Sequence, residues 1–160
     1  MIKFISKKIA VNILDNGLRE VRKDFQAKIT YKKESFLVIV PRGFLTDMAS
    51  VPKIFWNLLA KDDPEYLKSA LVHDWIYFNQ GFIPVVNKRG QDENLNLKRS
   101  EADIYFREGA KVLGASWMKR NSIYWAVRMG GRSAWDSHAR KKKIEFKMSA
   151  HKNPDARMRA

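Results

Sequence analysis

Apolar and polar positions change period several times along the chain, and each change predicts an element. Residues 9–14 read as a first strand, closed by the turn Asp15-Asn16-Gly17. From 25 to 31, Phe25, Ala27, Ile29 and Tyr31 alternate with Gln26, Lys28 and Thr30, the period of a strand with one buried face. Residues 32–35 suit a hairpin turn, and the apolar run 36–40, stopped by Pro41, returns as its partner strand. The polar-small loop 43–52 follows, where Thr46, Asp47 and Ser50 can hydrogen-bond, ligate, or cap a short helix over 53–59.

The period then becomes helical. Residues 63–80 predict a helix, with Asp63 as cap, Pro64 in the first turn and Gly81 as the stop. At about 100° per residue, Leu67, Ala70, Leu71, Asp74 and Phe78 share one face, with Tyr66, His73 and Tyr77 in a stripe beside it. A short strand over 82–86 and a polar loop over 87–99 come next. Ser100 opens a second helix that presents Ala102, Tyr105, Phe106, Gly109, Ala110 and Leu113 at helical spacing and stops at Gly114. A third helix covers 117–129, with Ile123, Tyr124 and Val127 inward and Gly130-Gly131 as its end. Trp135 is expected to fold back onto the body. No internal repeat occurs. The pattern predicts an α+β fold: a small N-terminal antiparallel sheet followed by three main helices, the His73 and Asp103 helices packed together. One globular domain over 1–137 precedes a basic tail over 138–160, whose last residues, 153–160, are expected to be flexible.

Charge adds a partner class. The 160 residues carry a net charge of +14, which favours nucleic acid, an anionic membrane surface or an acidic protein. Residues 138–160 hold eight Lys or Arg against Glu145 and Asp155; Arg140, Lys141, Lys142, Lys143 and Lys147 are the candidate anion-binding groups. The chain has no cysteine, so disulfides and thiolate metal sites are excluded. No apolar run approaches the roughly 20 residues of a membrane span. The basic-then-apolar start is interrupted by Asn12 and Asp15 without a small-residue cleavage site, so no signal peptide is expected.

The candidate chemistry lies on the first helix. A carboxylate within an apolar face requires a metal, a cation or strong donors, which makes Asp74 a candidate ligand. His73 beside it can act as base, acid or ligand near neutral pH. A purely structural account also satisfies every charge: His73 in the core, Asp103 in a capping box of Ser100-Glu101-Ala102-Asp103, and Asp74 paired with Arg107 or Arg128. No P-loop, GxSxG or HExxH motif occurs. His138 and His151 are the only other histidines and lie near the tail, which excludes the phosphohydrolases named for a His-Asp doublet.

Three pieces in this order, G-F-x-T-D-x-A-S-V-P (43–52), H-D-x-x-Y (73–77) and A-D-x-x-F (102–106), followed by Tyr124, Val127 and Arg128, resemble a phage and prophage family of unknown function. The resemblance covers roughly residues 38–135, with Met48 in place of a usual glycine and Ile76 where leucine is common. It implies a phage-encoded accessory protein, carried in or on the virion at the tail or inside the head, with other virion proteins as partners. The location implied is the virion or the bacterial host cytoplasm. The two helix motifs are also similar to the helix pair of small calcium-dependent secretory phospholipases and of the parvovirus capsid phospholipase domain. That likeness implies His73 as the base that activates water, Asp103 as the carboxylate that orients it, and Tyr77 as a partner of Asp103. It places Ca²⁺ on Asp74. The glycine-rich calcium loop of those enzymes is absent, and only residues 43–47, with Asp47 as the second ligand, can substitute. The readings are thus a virion-associated accessory protein, a metal-dependent ester hydrolase, and a non-virion protein that binds nucleic acid or a host factor.

Overall fold

Hydrogen-bonded alternation builds most of the N-terminal half. A computed structural model describes residues 1–46, 64 and 66–152, with backbone alone beyond 137. Its strands are β1 (Ile2–Phe4), β2 (Val11–Ile13), β3 (Arg19–Val21), β4 (Phe25–Tyr31), β5 (Glu34–Val40) and β6 (Leu45–Thr46). Helix α1 (Leu67–Phe78) follows, then β7 (Phe82–Val86), β8 (Asp92–Asn96), α2 (Arg99–Val112) and α3 (Trp117–Lys152). One sheet has the order β1-β4-β5-β7-β8 and a smaller one β2-β3-β6, and every pairing is antiparallel. The architecture is α+β, as the pattern predicts.

Phe25, Ala27 and Ile29 of β4 stand opposite Val40, Val38 and Phe36 of β5, and all six are buried. Lys32 and Lys33 make the turn between them with φ of 46° and 69°, the hand that matches the twist of a tight hairpin. The strand expected over 9–14 is β2, and it joins β3 and β6 rather than the main sheet. The loop expected over 87–99 is a correction: β8 pairs with β7 along its whole length, placing Leu95 opposite Ile83. Its sequence has one apolar residue between Asp92 and Asn96, too few to show the period; the free edge of β7 supplies the pairing.

α1 begins at Leu67 with Tyr66 before it, while Asp63 lies outside the described residues. Gly81 ends it at φ +78°, where a Cβ would lie 1.8 Å from the Leu97 carbonyl oxygen, so only glycine fits. The buried face of α1 is Ser69, Ala70, Leu71, Val72, His73, Ile76 and Tyr77; Phe78 is exposed and Asp74 only part-buried. The helical wheel chose a different centre because α1 packs against β5 as well as α2 and α3, so its buried arc is wider than one stripe.

The stop expected at Gly130-Gly131 is also corrected, because α3 runs through both glycines to Lys152. Gly131 serves the crossing with α1, since a Cβ there would lie 2.6 Å from the Tyr77 hydroxyl. Past it, the Trp135 ring meets Tyr77 edge-on at 5.0 Å, and Gln80 donates to the Trp135 carbonyl at 3.1 Å. Trp135 returns to the body as expected, on a continuing helix.

Candidate active site

Small residues let the helices approach closely enough to share one carboxylate. Ser69 of α1 donates to the Phe106 carbonyl of α2 at 2.8 Å, and a Cβ on Gly109 would lie 2.1 Å from its hydroxyl oxygen. One turn further along α1, His73 and Tyr77 face Asp103 of α2, whose side chain is fully buried. His73 Nε2 lies 3.1 Å from Asp103 Oδ1, and the Tyr77 hydroxyl donates to the same oxygen at 2.5 Å. Arg128 of α3 donates from Nη1 to Oδ2 at 2.8 Å, with Arg99 Nη1 at 3.6 Å from that oxygen. Arg99 also donates to the carbonyls of Val127 and Arg128, both at 3.3 Å, which ties the start of α2 to α3.

A carboxylate so surrounded accepts only, so the tautomer follows from the network: Nε2 carries the proton that points to Asp103. Nδ1 is left facing Asp74 Oδ1 at 3.6 Å, an ion-pair separation too long for a hydrogen bond. Tyr77 and Phe106 flank the imidazole, with ring centres at 4.1 and 4.8 Å. Thr46 of β6 donates to Asp74 Oδ2 at 2.5 Å, which brings the start of the 43–52 loop against the His-Asp pair. Asp74 is part-exposed, at 20% against 7% for His73.

Burial alone would lower the pKa of His73, but the hydrogen bond to Asp103 and the negative charges of Asp74 and Asp103 more than compensate, and the net shift is upward from 6.5. Asp103 moves the other way. Burial disfavours its charge, yet the hydrogen bonds from His73, Tyr77 and Arg128 hold its carboxyl below the usual 3.8. Burial and then Asp103 push the Tyr77 phenol well above 10, so it remains a donor. The Asp103 hydrogen bond raises Arg128 further.

The expected His73–Asp103–Tyr77 contact is therefore present, and Asp74 adjoins it. Three structural assignments are corrected. Arg128 pairs with Asp103 and not with Asp74, while Arg107 lies by Glu108 and over the Tyr124 ring. Asp103 does not cap α2; Glu101 does, reaching back to the Lys98 amide at 2.7 Å. Asp74 lies at the edge of the apolar face, where the Thr46 hydroxyl is its donor. Asp47 lies outside the described residues, and among the described residues no three His, Asp or Glu converge to hold a metal. Arg140, Lys141, Lys142, Lys143 and Lys147 fall on the part of α3 described by backbone alone. Arg99 was not foreseen, although its spacing of four residues from Asp103 is the signal for such a pair.

Fold and site together define a class: an α+β domain whose three helices converge on a buried His–carboxylate pair. The chain belongs to the family described as "Protein of unknown function (DUF1353)", whose model matches residues 23–127. The match takes in His73, Asp74, Tyr77 and Asp103 and stops one residue short of Arg128. The chain is also 28% identical over 93 residues to "Uncharacterized protein y4jT" of Sinorhizobium fredii (strain NBRC 101917 / NGR234). That alignment covers 58% of this chain and 23% of the relative. No solved structure matches.

Proposed function

We propose that this domain is a hydrolase in which His73 is the general base toward water attacking an ester carbonyl. One observation carries the reading: Asp103 holds Nε2 at 3.1 Å, which fixes the ring and leaves Nδ1 as the proton acceptor, toward the part-exposed Asp74. Nδ1 takes a proton from water as its oxygen bonds to the carbonyl carbon. The imidazolium then returns that proton to the departing alkoxide as the acyl–oxygen bond breaks. Asp103, its charge held by Tyr77 and Arg128, favours the imidazolium in between. The raised pKa of His73 means that base catalysis grows as pH rises through that value.

The test is hydrolysis of p-nitrophenyl esters and of phospholipid vesicles, each with calcium and with chelator, by wild type and His73→Gln. Turnover that falls at least ~100-fold in the variant, with its fold retained, is the expected result. Absence of turnover on every substrate, or equal rates in both proteins, overturns it.

A second reading, compatible with the first, is a virion-associated accessory protein that binds an anionic partner. Its support is the motif resemblance together with the +14 charge, of which the last 23 residues contribute +6.

A further inference from the structure

The outward side of α3 carries chemistry that ester hydrolysis does not use. Trp117, Met118, Trp125 and Met129 are 69, 66, 58 and 67% exposed within four turns of one helix. Positions 118, 122, 125 and 129 recur every three or four residues and form one stripe about 16 Å long, with Ser122 its polar member. Ile123 and Ala126, on the side turned to the body, are buried in the core. Scattered exposed apolar residues are ordinary, but two tryptophans and two methionines together on one helix mark a contact surface.

Charge decides what covers it. Helix α3 contains ten Lys or Arg against Asp136 and Glu145. Arg128 is committed to Asp103, whereas Arg132 stands 84% exposed with Asp136 no nearer than 3.8 Å. A second copy of this chain would set two such basic helices against each other, and four side chains fall short of the roughly 800 Å² per partner of a stable interface. A nucleic acid would favour aromatic and basic residues interleaved along the stripe, whereas its other members are Met118, Met129 and Ser122. The partner must be anionic and apolar at once.

We propose that α3 lies flat on an anionic phospholipid surface, with Trp117, Met118, Trp125 and Met129 at the boundary between headgroups and acyl chains. Tryptophan favours that boundary, methionine tolerates the acyl side, and the basic residues of the helix attract anionic headgroups. No helix among the described residues is long and apolar enough to cross a membrane, so the contact is one of lying on the surface. The inference goes beyond ester hydrolysis and stands or falls without it.

The full chain is to be sedimented with vesicles of phosphatidylcholine alone and of an equimolar mixture with phosphatidylglycerol, while tryptophan emission is recorded. Wild type should bind the anionic vesicles with a blue shift and leave the neutral ones in solution. The pair Trp125→Ser/Met129→Ser, and separately Trp117→Ser/Met118→Ser, should each weaken that binding by about tenfold or more with unchanged melting temperature. Absence of wild-type binding overturns the proposal, as does binding that both pairs leave intact. So does a dimer, or binding to a single-stranded oligonucleotide, that the same substitutions abolish while vesicle binding survives.

Discussion

At Asp103 a carboxylate without solvent exposure accepts from His73, Tyr77 and Arg128, so neutralising it removes the charged acceptor of all three donors at once. Asp103→Asn should destabilise the fold by ~3–5 kcal/mol, read as a fall in melting temperature. The pH dependence gives the substitution a signature. His73 has its pKa raised on folding, so the stability it contributes is fully present below its unfolded value of 6.5 and is lost as pH rises through the folded one. Asp103 has its pKa lowered, so its contribution is present above 3.8 and is lost as pH falls through the depressed value. Wild-type melting temperature should therefore decline on both sides of that window. In Asp103→Asn the acid decline attributable to residue 103 disappears, and the His73 imidazole, followed by NMR, titrates at lower pH. An unchanged His73 titration would show that Asp74 alone sets its charge.

Between elements, the crossing of α1 and α3 is the tightest constraint on the site. Alanine is a better helix former than glycine by about 1 kcal/mol, so Gly131→Ala would be stabilising in an isolated helix. Here its Cβ would meet the Tyr77 hydroxyl at 2.6 Å, and displacing that hydroxyl breaks the 2.5 Å bond to Asp103. We expect a net destabilisation of ~1–3 kcal/mol by denaturant unfolding. In a Tyr77→Phe background, which removes the hydroxyl, the same change should cost measurably less, and equal costs in both backgrounds would refute the contact.

On the scale of the molecule, charge and apolar period part company along the sequence. Residues 138–160 hold +6 of the net charge and lose the apolar period of the helices before them. Removing 138–160 should leave the melting temperature nearly unchanged and flatten the salt dependence of binding to DNA or anionic vesicles. A large fall in melting temperature would instead assign those turns of α3 to the fold.

What the sequence determined by itself was local: the β4–β5 alternation and its two-lysine turn, the cores of three helices, and the stop at Gly81. Neighbours in the chain settle these, through side-chain period and backbone freedom. The approach of His73 to Asp103 was legible from motif resemblance, because spacing cannot say which faces of two helices meet. Tertiary structure decided the rest. The second side of α1 is buried by the sheet, which turned Asp74 outward to Thr46. The edge of β7 made a strand of 92–96, and the Tyr77 crossing gave Gly131 a place inside a helix rather than at its end. Arg128 went to Asp103 because α3 passes that carboxylate, and the most deeply buried charge takes the cation that can reach it.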